Sequence, residues 1–302
     1  MQIAVAATPE VALPTLEALL VSEHNLVAVI TQPDRPAGRG LALKESPVAI
    51  WAKERGINVR KPVDQDELKL AVADVDLVIT IGFGVIIKEE VLNLPKHGFI
   101  NLHFSLLPKW RGAAPVQRAI EAGDQITGVT VFQLDKGMDT GPIYCQKEIA
   151  MPHQATTESL LQELSVFGAP VILDAISAIE SNEVPAIQSV DGASRADKLS
   201  KDEGRIDWQL SAELIDRKIR AFFPAPGAWT TFRDETIKIE SATVVVSGDG
   251  QPGEICFVEK KVLVSTAQKS LQLLSVKPAG KASMRAISWT NGARIEQHER
   301  FI

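Results

Sequence analysis

The sequence of 302 residues has only two cysteines, Cys145 and Cys256, and they lie far apart. A disulfide framework or a cysteine-based zinc site needs more cysteines at closer spacing. The longest apolar runs, such as 75–81, are far shorter than the ~20 residues of a membrane-spanning helix. The N-terminal residues have no basic segment of the kind that opens a signal peptide. These absences predict a cytoplasmic protein without a membrane span.

Several motifs of common enzyme classes are also missing. The sequence has no GxxxxGK[ST] phosphate loop, no GxSxG nucleophile elbow and no HExxH zinc motif. Gly82-Phe83-Gly84 follows an apolar run but lacks the third glycine of a dinucleotide-binding motif. The remaining histidines are scattered without metal-ligand spacing. We therefore expect no bound metal, no nicotinamide cofactor and no covalent nucleophile.

The composition is that of an ordinary globular protein, with 45% hydrophobic and 23% charged residues. The length predicts two domains. The net charge is -6, yet residues 204–302 carry 14 basic and 11 acidic side chains. The overall sign therefore does not exclude a nucleic-acid partner, because a few clustered cations suffice to contact phosphates.

The first half of the chain alternates apolar runs with helix-start signals. Thr8-Pro9 and Ser46-Pro47 place a capping residue before a proline, and Asp64 precedes Glu67 at capping-box spacing. The runs are almost continuously apolar, as expected for strands covered on both faces by helices. This pattern predicts a doubly wound, mostly parallel α/β sheet, with strands at 3–7, 25–31, 76–81, 99–103, 128–134 and 143–149.

A polar stretch at 189–203 marks a change of pattern. One helix at 211–222 and a series of short strands with a glycine turn at 248–250 follow it, which is typical of a small OB-like β-barrel. Strands are predicted at 229–232, 238–246, 254–258, 261–265, 271–276 and near 286–289. We predict a catalytic domain at 1–188, a linker at 189–206 and an OB-like domain at 207–302.

Asn101 and His103 are the first candidates for chemistry. They end a predicted central strand at positions i and i+2, so their side chains leave the same sheet face. Open parallel sheets bind ligands beyond the carboxyl ends of their strands. An amide beside an imidazole can stabilise an oxyanion and move a proton. The alternative is that His103 is a hydrogen-bonded structural residue.

Asp139 is the second candidate. It lies in Asp135-Lys136-Gly137-Met138-Asp139-Thr140-Gly141, a glycine-bracketed loop that follows a predicted strand. Loops on a rigid scaffold carry many functional residues. The alternative is ordinary turn chemistry, which uses the same residue types.

Three separated elements resemble the signature of the folate-dependent formyltransferases. They are Asn101 with His103 two residues later, the SLLP turn at 105–108, and the DxGxDTG loop that contains Asp139. The segments TQPDRPAGRG at 31–40, KLSKDEGRIDW at 198–208 and IRAFFPAPGAW at 219–229 are similar to the branch that acts on methionyl initiator tRNA. The resemblance covers nearly the whole chain. Three departures are Ala7 in place of a glycine, Phe104 in place of a small residue, and fewer basic residues than usual in the loop after Gly40.

The resemblance implies a formyltransferase-type α/β domain and a reaction. The formyl group of 10-formyltetrahydrofolate would pass to the α-amine of methionine on the initiator tRNA, without a metal. Asn101 and His103 would stabilise the oxyanion. Asp139 would orient or charge His103 and help to move a proton from the amine to the folate nitrogen. The identity of the base stays open.

The resemblance also implies two binding regions. The folate pocket would be lined by Ser105, Leu106, Leu107, Pro108, Gly84, Val85 and Ile87. Initiator tRNA would contact Arg35, Arg39 and Lys44, for which ordinary solvated charge is the alternative. Arg217, Lys218 and Arg220 on the predicted C-terminal helix are candidates for phosphate contacts or for a solvated helix face.

Two other functions remain open at this stage. A sugar-nucleotide N-formyltransferase would use the same catalytic residues, although the PDRPAGRG loop argues against it. A non-catalytic folate-binding or RNA-binding protein would keep the fold, although the set of Asn101, His103 and Asp139 argues against it. We expect a monomer.

Overall fold

The computed structural model describes residues 1–37, 42–246, 250–296 and 299–302. Arg39, one of the predicted tRNA contacts, lies outside the described residues. The same holds for Gly248 and Asp249 of the predicted glycine turn.

The chain forms two compact units that are interleaved in sequence. The first contains Met1–Pro115, Ile126–Ala150 and Leu161–Ala196. The second contains Val116–Gln125, Met151–Leu160 and Asp197–Ile302. The predicted boundaries of contiguous domains at 1–188 and 207–302 stay a prediction.

A seven-stranded sheet forms the centre of the first unit. Its order is β5-β2-β1-β6-β7-β8-β9, and β8 and β9 are antiparallel to their neighbours whereas the other strands pair in parallel. A separate hairpin pairs β3 with β4. The strands are β1 (Gln2–Ala7), β2 (Asn25–Ile30), β3 (Arg35–Ala37), β4 (Ala42–Lys44), β5 (Asn58–Arg60), β6 (Leu77–Ile81), β7 (Phe99–His103), β8 (Ile126–Gln133) and β9 (Ile143–Ala150).

Two helices begin at the predicted capping residues Ser46 and Asp64, whereas the predicted cap at Thr8 is wrong, because the 3-10 helix Glu10–Ala12 follows Pro9 without a side-chain cap. The Ser46 hydroxyl accepts a hydrogen bond from the amide of Ala49, and the Asp64 carboxylate accepts from the amides of Asp66 and Glu67. These bonds satisfy amides that have no partner within the helix. The helices from the N-terminus to residue 180 are α1 (Leu13–Leu20), α2 (Pro47–Glu54), α3 (Gln65–Ala71), α4 (Glu89–Leu92), α5 (Pro115–Ala122) and α6 (Thr157–Glu180).

The central strands β1, β6 and β7 of the first unit are buried along most of their length, as expected where both faces of a sheet are covered. All five residues of β6 are buried, and Phe99 of β7 is among the largest fully buried side chains. Gly168 of α6 approaches β7 so closely that an added Cβ would lie 2.9 Å from a Leu102 methyl group. This packing fixes the carboxyl ends of β6 and β7, where the candidate site lies.

An antiparallel sheet forms the centre of the second unit. Its order is β10-β11-β14-β13-β12, and β15 pairs with β14. Phe301 stacks between Trp208 and Trp289, with ring centroids 5.4 and 5.6 Å away. The elements are α7 (Ala212–Phe222), β10 (Ala228–Phe232), β11 (Glu235–Val245), β12 (Ile255–Val258), β13 (Lys261–Ser265), β14 (Ser270–Pro278), β15 (Met284–Arg285) and α8 (Ala286–Ala293).

The predicted last strand near 286–289 is wrong, because this segment is the start of helix α8. Its buried residues are Ala286, Trp289 and Thr290. That spacing of i, i+3 and i+4 is the period of a helix face and not of a strand. The predicted fold class is confirmed: a mostly parallel α/β sheet is followed by a small antiparallel β domain.

Helix α6 is long and apolar enough to cross a membrane by length and composition, with a mean hydropathy of 1.4 over its most apolar window. Half of that window is buried inside the protein. A core helix passes the same test, so the absence of a membrane span stays a prediction.

Candidate active site

A cavity of about 530 Å³ lies at the carboxyl ends of β6 and β7 in the first unit. This is the edge at which parallel sheets bind ligands, and the volume is in the range of small-molecule sites. The polar lining includes Thr80, Asn101, His103 and Asp139. Most of the exposed lining is apolar and comes from residues such as Phe83, Ile87, Leu92, Phe104 and Met138.

Asn101 is held in one orientation by its neighbour on β6. Its Nδ2 donates a hydrogen bond to Thr80 Oγ1 over 2.8 Å, and Thr80 Oγ1 donates to the Ile100 carbonyl over 3.1 Å. Because the Thr80 hydrogen is given to a carbonyl, its oxygen must accept from Asn101, which fixes the amide rotamer. The amide keeps a second N–H to offer to an oxygen atom in the cavity.

His103 lies at the end of β7 with its side chain 7% exposed. Its Nε2 lies 2.9 Å from the Trp110 carbonyl, which can only accept, so Nε2 carries the hydrogen. Burial lowers the pKa of His103, and the opposing effects of the Asp139 charge and the Trp110 carbonyl are smaller. The neutral imidazole therefore has its lone pair on Nδ1.

Asp139 meets His103 across the cavity edge. Its Oδ2 lies 3.9 Å from His103 Nδ1 and accepts a hydrogen bond from the Gly112 amide over 2.8 Å. Gly112 has a φ of 126°, and a Cβ there would lie 2.7 Å from the Ala196 carbonyl oxygen. Only glycine fits this position, and its amide orients the carboxylate. Asp139 itself has a φ of 55°, in the left-handed region.

Asp135 stabilises the loop that contains Asp139 through hydrogen bonds within the loop. Asp135 Oδ1 accepts hydrogen bonds from the Gly137 amide over 2.9 Å and from the Thr140 hydroxyl over 2.8 Å. The two acidic residues of the DxGxDTG loop thus differ in position. Asp135 shapes the turn, whereas Asp139 approaches the histidine.

The predicted folate-binding residues fall into two groups. Gly84, Val85 and Ile87 line the cavity. Gly84 has a φ of 71°, and a Cβ there would lie 2.9 Å from Gln32 Nε2, so this wall needs glycine.

The turn Ser105, Leu106, Leu107 and Pro108 does not belong to the described lining of the cavity. Ser105 and Leu107 are buried. Thr130 Oγ1 accepts from the Leu107 amide over 3.1 Å and donates to the Ser105 carbonyl over 2.7 Å. These bonds hold the chain between His103 and Trp110 in place.

Two of the predicted tRNA contacts lie opposite each other. Arg35 and Lys44 pair in register across the β3–β4 hairpin, and both are exposed. Arg35 also contacts the side chain of Gln32, whose Nε2 donates to the Phe83 carbonyl over 2.6 Å at the cavity wall. Like charges opposite each other on a hairpin repel, so this pair favours an anionic partner.

The cations of α7 have partners within the second unit. Lys218 donates to the Glu203 carbonyl over 2.7 Å, and Arg220 pairs with Asp216 over 2.8 Å. Arg217 Nη1 lies 3.5 Å from the Ala122 carbonyl. Internal bonds thus use Lys218 and Arg220 and compete with phosphate binding.

One group of potential metal ligands occurs in the described part of the chain. Glu23, His24 and Glu180 lie close together, but both glutamates are exposed and Glu180 also lies 3.9 Å from the N-terminal amine. This group lies beside the start of β2, at the amino edge of the parallel strands and away from the cavity. The expectation of no metal in the active site stays a prediction.

Several residues of the site were missed by sequence reasoning. Thr80 had a signal, because it is the polar residue inside the apolar strand LVITI. Trp110 and Gly112 lie in the segment after the SLLP turn. They contribute the Trp110 carbonyl and the Gly112 amide, and not their side chains. Gln188, which binds the backbone at Asp139 and Gly141, had no signal at the end of the predicted catalytic domain, just before the predicted linker.

Comparison with known proteins agrees with this geometry. Residues 1–176 match the family model described as formyl transferase, and residues 198–294 match the formyl transferase C-terminal domain. The chain is similar in fold to an N-formyltransferase from Helicobacter canadensis, solved with folinic acid and dTDP-3-aminofucose. The TM-score is 0.70 at 21% identity, over 90% of this chain and 98% of that one.

Two sequence relatives match along the whole chain. The methionyl-tRNA formyltransferase of Thermobifida fusca is 44% identical over 100% of this chain and 99% of its own length. The methionyl-tRNA formyltransferase of Salinispora tropica is 43% identical over 99% of both chains. With a cavity that joins Asn101, His103 and Asp139, and with both family domains present, the chain belongs to the formyl transferase family, among the methionyl-tRNA formyltransferases.

Proposed function

We propose that this protein transfers the formyl group of 10-formyltetrahydrofolate to the α-amine of methionyl initiator tRNA, for translation initiation. The observation that carries the proposal is the convergence of Asn101, His103 and Asp139 on one cavity. It occurs in a chain whose full-length relatives are named methionyl-tRNA formyltransferases.

In this proposal, Asn101 stabilises the charged intermediate of the reaction. The amine of methionine attacks the formyl carbon, and the carbonyl electrons move onto oxygen. The second N–H of Asn101 donates to that oxyanion, with Thr80 keeping the amide in place. A positioned donor of this kind contributes about 3 kcal/mol to transition-state stabilisation.

The neutral imidazole of His103 transfers a proton from the amine to the folate nitrogen. Nδ1 holds the lone pair, because Nε2–H is given to the Trp110 carbonyl. It accepts the proton that the amine loses on attack and returns a proton to the folate nitrogen as the carbon–nitrogen bond breaks. Asp139 lies 3.9 Å away and stabilises the imidazolium form in between. The reaction needs no metal, since side chains supply both the charge and the proton transfer.

The apolar part of the cavity suits the flat ring system of a folate. Gly84, Val85 and Ile87 line the cavity, and Gly84 adds no side chain to it. Phe104 also lines the cavity and limits its width. Ser105, Leu106, Leu107 and Pro108 stay proposed folate contacts, and the bonds of Thr130 to Ser105 and Leu107 hold their turn in place.

The exposed pair Arg35 and Lys44 supports a tRNA contact at the β3–β4 hairpin. Arg39 belongs to the same proposed contact. The C-terminal region 207–302 would contribute further tRNA binding beyond the linker. We place the protein in the cytoplasm as a monomer, where charged tRNA and folate are available.

The two alternatives lack a specific observation in their favour. The structural likeness to a sugar N-formyltransferase is a likeness of fold at 21% identity. A binding protein without activity would not need an oriented amide, a buried neutral histidine and a carboxylate in one cavity. We therefore develop only the tRNA substrate.

The test is formylation of methionyl initiator tRNA with 10-formyltetrahydrofolate by the wild type, His103→Ala and Asp139→Ala. We expect transfer by the wild type and a loss of at least about 100-fold in kcat for each variant, because each removes a group that acts in the transition state. The measurement is single-turnover transfer of labelled formyl groups.

The matched controls are His153→Ala and Asp191→Ala, whose side chains are exposed and which are not part of the described lining of the cavity. They should keep wild-type activity. If the wild type leaves the charged tRNA unchanged but formylates an amino-sugar nucleotide, the assignment of tRNA as the substrate is wrong. A wild type that does neither would overturn the enzymatic function.

A further inference from the structure

Gln188 links the two chain segments that hold Asp139. It is 8% exposed and follows α6. Its Nε2 donates to the Asp139 carbonyl over 3.0 Å and to the Gly141 carbonyl over 2.7 Å. Its Oε1 accepts from Arg111 Nε over 3.1 Å and from Arg111 Nη2 over 2.7 Å.

The orientation of the Gln188 amide follows from its partners. Arginine only donates hydrogen bonds, so it must face the amide oxygen of Gln188. The two carbonyls only accept, so they must face the NH2 group. All four bonds agree with this assignment. A flipped amide would place its NH2 group against the Arg111 donors and its oxygen against the two carbonyls.

Asp139 needs such support because its backbone is strained. A φ of 55° lies in the left-handed region, which residues other than glycine adopt rarely and keep where the surroundings enforce it. Gln188 binds the carbonyl of Asp139 itself. The other partner of Gln188 is Arg111, which directly precedes Gly112, and the Gly112 amide donates to Asp139 Oδ2. Gln188 thus reaches Asp139 both directly and through Arg111.

We propose that Gln188 is a positioning residue for formyl transfer, which holds the Asp139 carboxylate against His103 by bridging the Asp139 loop and the Arg111–Gly112 segment. The inference rests on the proposed function for its kinetic test. Gln188 is not part of the described lining of the cavity, so its effect on the reaction passes through Asp139.

The first variant is Gln188→Met, which keeps the length of the side chain and removes all four hydrogen bonds. We expect kcat to fall about 10- to 100-fold, the range in which small displacements of catalytic groups act, whereas the KM for tRNA changes less than twofold. Gln162→Met is the control, because Gln162 is exposed on α6. It should leave kcat and KM unchanged.

The second measurement is a double-mutant cycle with Asp139→Asn. If Gln188 acts through the Asp139 carboxylate, Gln188→Met should lower kcat less than twofold in the Asp139→Asn background. A loss of equal size in both backgrounds would overturn the proposal, because a structural defect would act regardless of residue 139.

The third measurement does not depend on activity. Nuclear magnetic resonance of labelled histidine reports the titration of His103, whose pKa the Asp139 charge raises against the effect of burial. Gln188→Met should lower the pKa of His103, because the carboxylate moves away, and should change nothing further in the Asp139→Asn background. An unchanged His103 titration would overturn the proposal even if formyl transfer itself proved absent.

Arg111→Lys provides a second variant if Gln188→Met does not fold. Lysine keeps the positive charge but loses the paired Nε and Nη2 donors to Gln188. We expect a two- to tenfold loss in kcat and a smaller fall in the pKa of His103. If kcat and the pKa of His103 are both unchanged in Arg111→Lys, the proposed bridge through Gln188 is wrong.

Discussion

Thr80 shows how one hydroxyl on a buried strand determines the chemistry offered at its end. It is 2% exposed, and it both accepts from Asn101 and donates to the Ile100 carbonyl. The amide of Asn101 therefore keeps a second N–H that it can offer to an oxygen atom in the cavity. At the scale of single residues, the site depends on these fixed donor and acceptor roles.

Replacing Thr80 by valine should lower kcat about tenfold. The change keeps the shape of the side chain but releases the Asn101 amide, so the loss is smaller than the 10² to 10³ of removing an oxyanion donor altogether. Folate binding should change less than twofold. Transfer assays and equilibrium folate titration measure the two effects.

Thr15→Val is the matched control for this variant. Thr15 is fully buried, and its Oγ1 has no hydrogen-bond partner among the described residues. Wild-type kcat is expected for Thr15→Val. Equal kcat for Thr80→Val and wild type would contradict the role of Thr80.

At the scale of elements, the turn that opens the 3-10 helix at Asp202–Gly204 shows a reciprocal cap. The Ser200 amide donates to Glu203 Oε2 over 2.8 Å, and the Glu203 amide donates to Ser200 Oγ over 3.2 Å. Arg118 Nη2 donates to Glu203 Oε1 over 2.7 Å. These bonds lower the pKa of Glu203 to about 2, with the Ser200 amide as the largest cause.

Glu203→Gln should remove an acid-sensitive part of the stability. The pKa of the Glu203 carboxylate is about 2 in the folded chain, well below its ordinary value of 4.5. Its contribution is therefore complete above pH 4.5 and is lost as the pH falls toward 2. Because the side chain is 40% exposed, we expect only about 1 kcal/mol at pH 7.

Thermal unfolding of the wild type and Glu203→Gln between pH 7 and pH 3 measures this contribution. The difference in unfolding free energy should shrink as the pH falls below 4.5. Glu163→Gln, an exposed position on α6, controls for the loss of one negative charge. A difference that stays constant with pH would contradict the prediction.

The elements show where sequence reasoning succeeds and where it fails. The caps at Ser46 and Asp64 were predictable because they act on amides two or three residues away. The convergence of Asn101 and His103 followed from strand periodicity. Gln188 was not predictable, since its partners lie 47 to 77 residues away and nothing local marks it.

The prediction of the last strand near 286–289 was wrong for a related reason. Two residues, Met284 and Arg285, do form a strand, and the helix α8 begins at the next residue. Trp289 has a strong strand propensity, but its packing onto Phe301 and Phe232 is a tertiary effect that overrides it.

At the scale of the whole molecule, the net charge of -6 opposes binding of a polyanion. In the proposed function, the attraction comes from local cations such as Arg35 and Lys44. Affinity for tRNA should fall with salt, and the slope of log K against log salt should decrease by about one for each phosphate contact removed.

Arg35→Ala and Lys44→Ala test this point by tRNA titration at several salt concentrations. Each should weaken binding and lower the slope. Lys96→Ala is the control, since Lys96 is exposed and precedes β7 at the amino edge of the sheet, away from the hairpin. Slopes equal to that of the control would exclude the hairpin from the tRNA contact.

The interleaving of the two compact units limits how the chain can be cut or built. The second unit uses residues 116–125 and 151–160 together with everything from Asp197 onward. On the ribosome its earliest segment is made long before its last, so this unit cannot close until synthesis reaches the C-terminus. A fragment that begins at Asp197, or a chimera joined there, would lack two of its three pieces and expose apolar surface. Exchanging the whole second unit between family members therefore requires three segments to be replaced, not one.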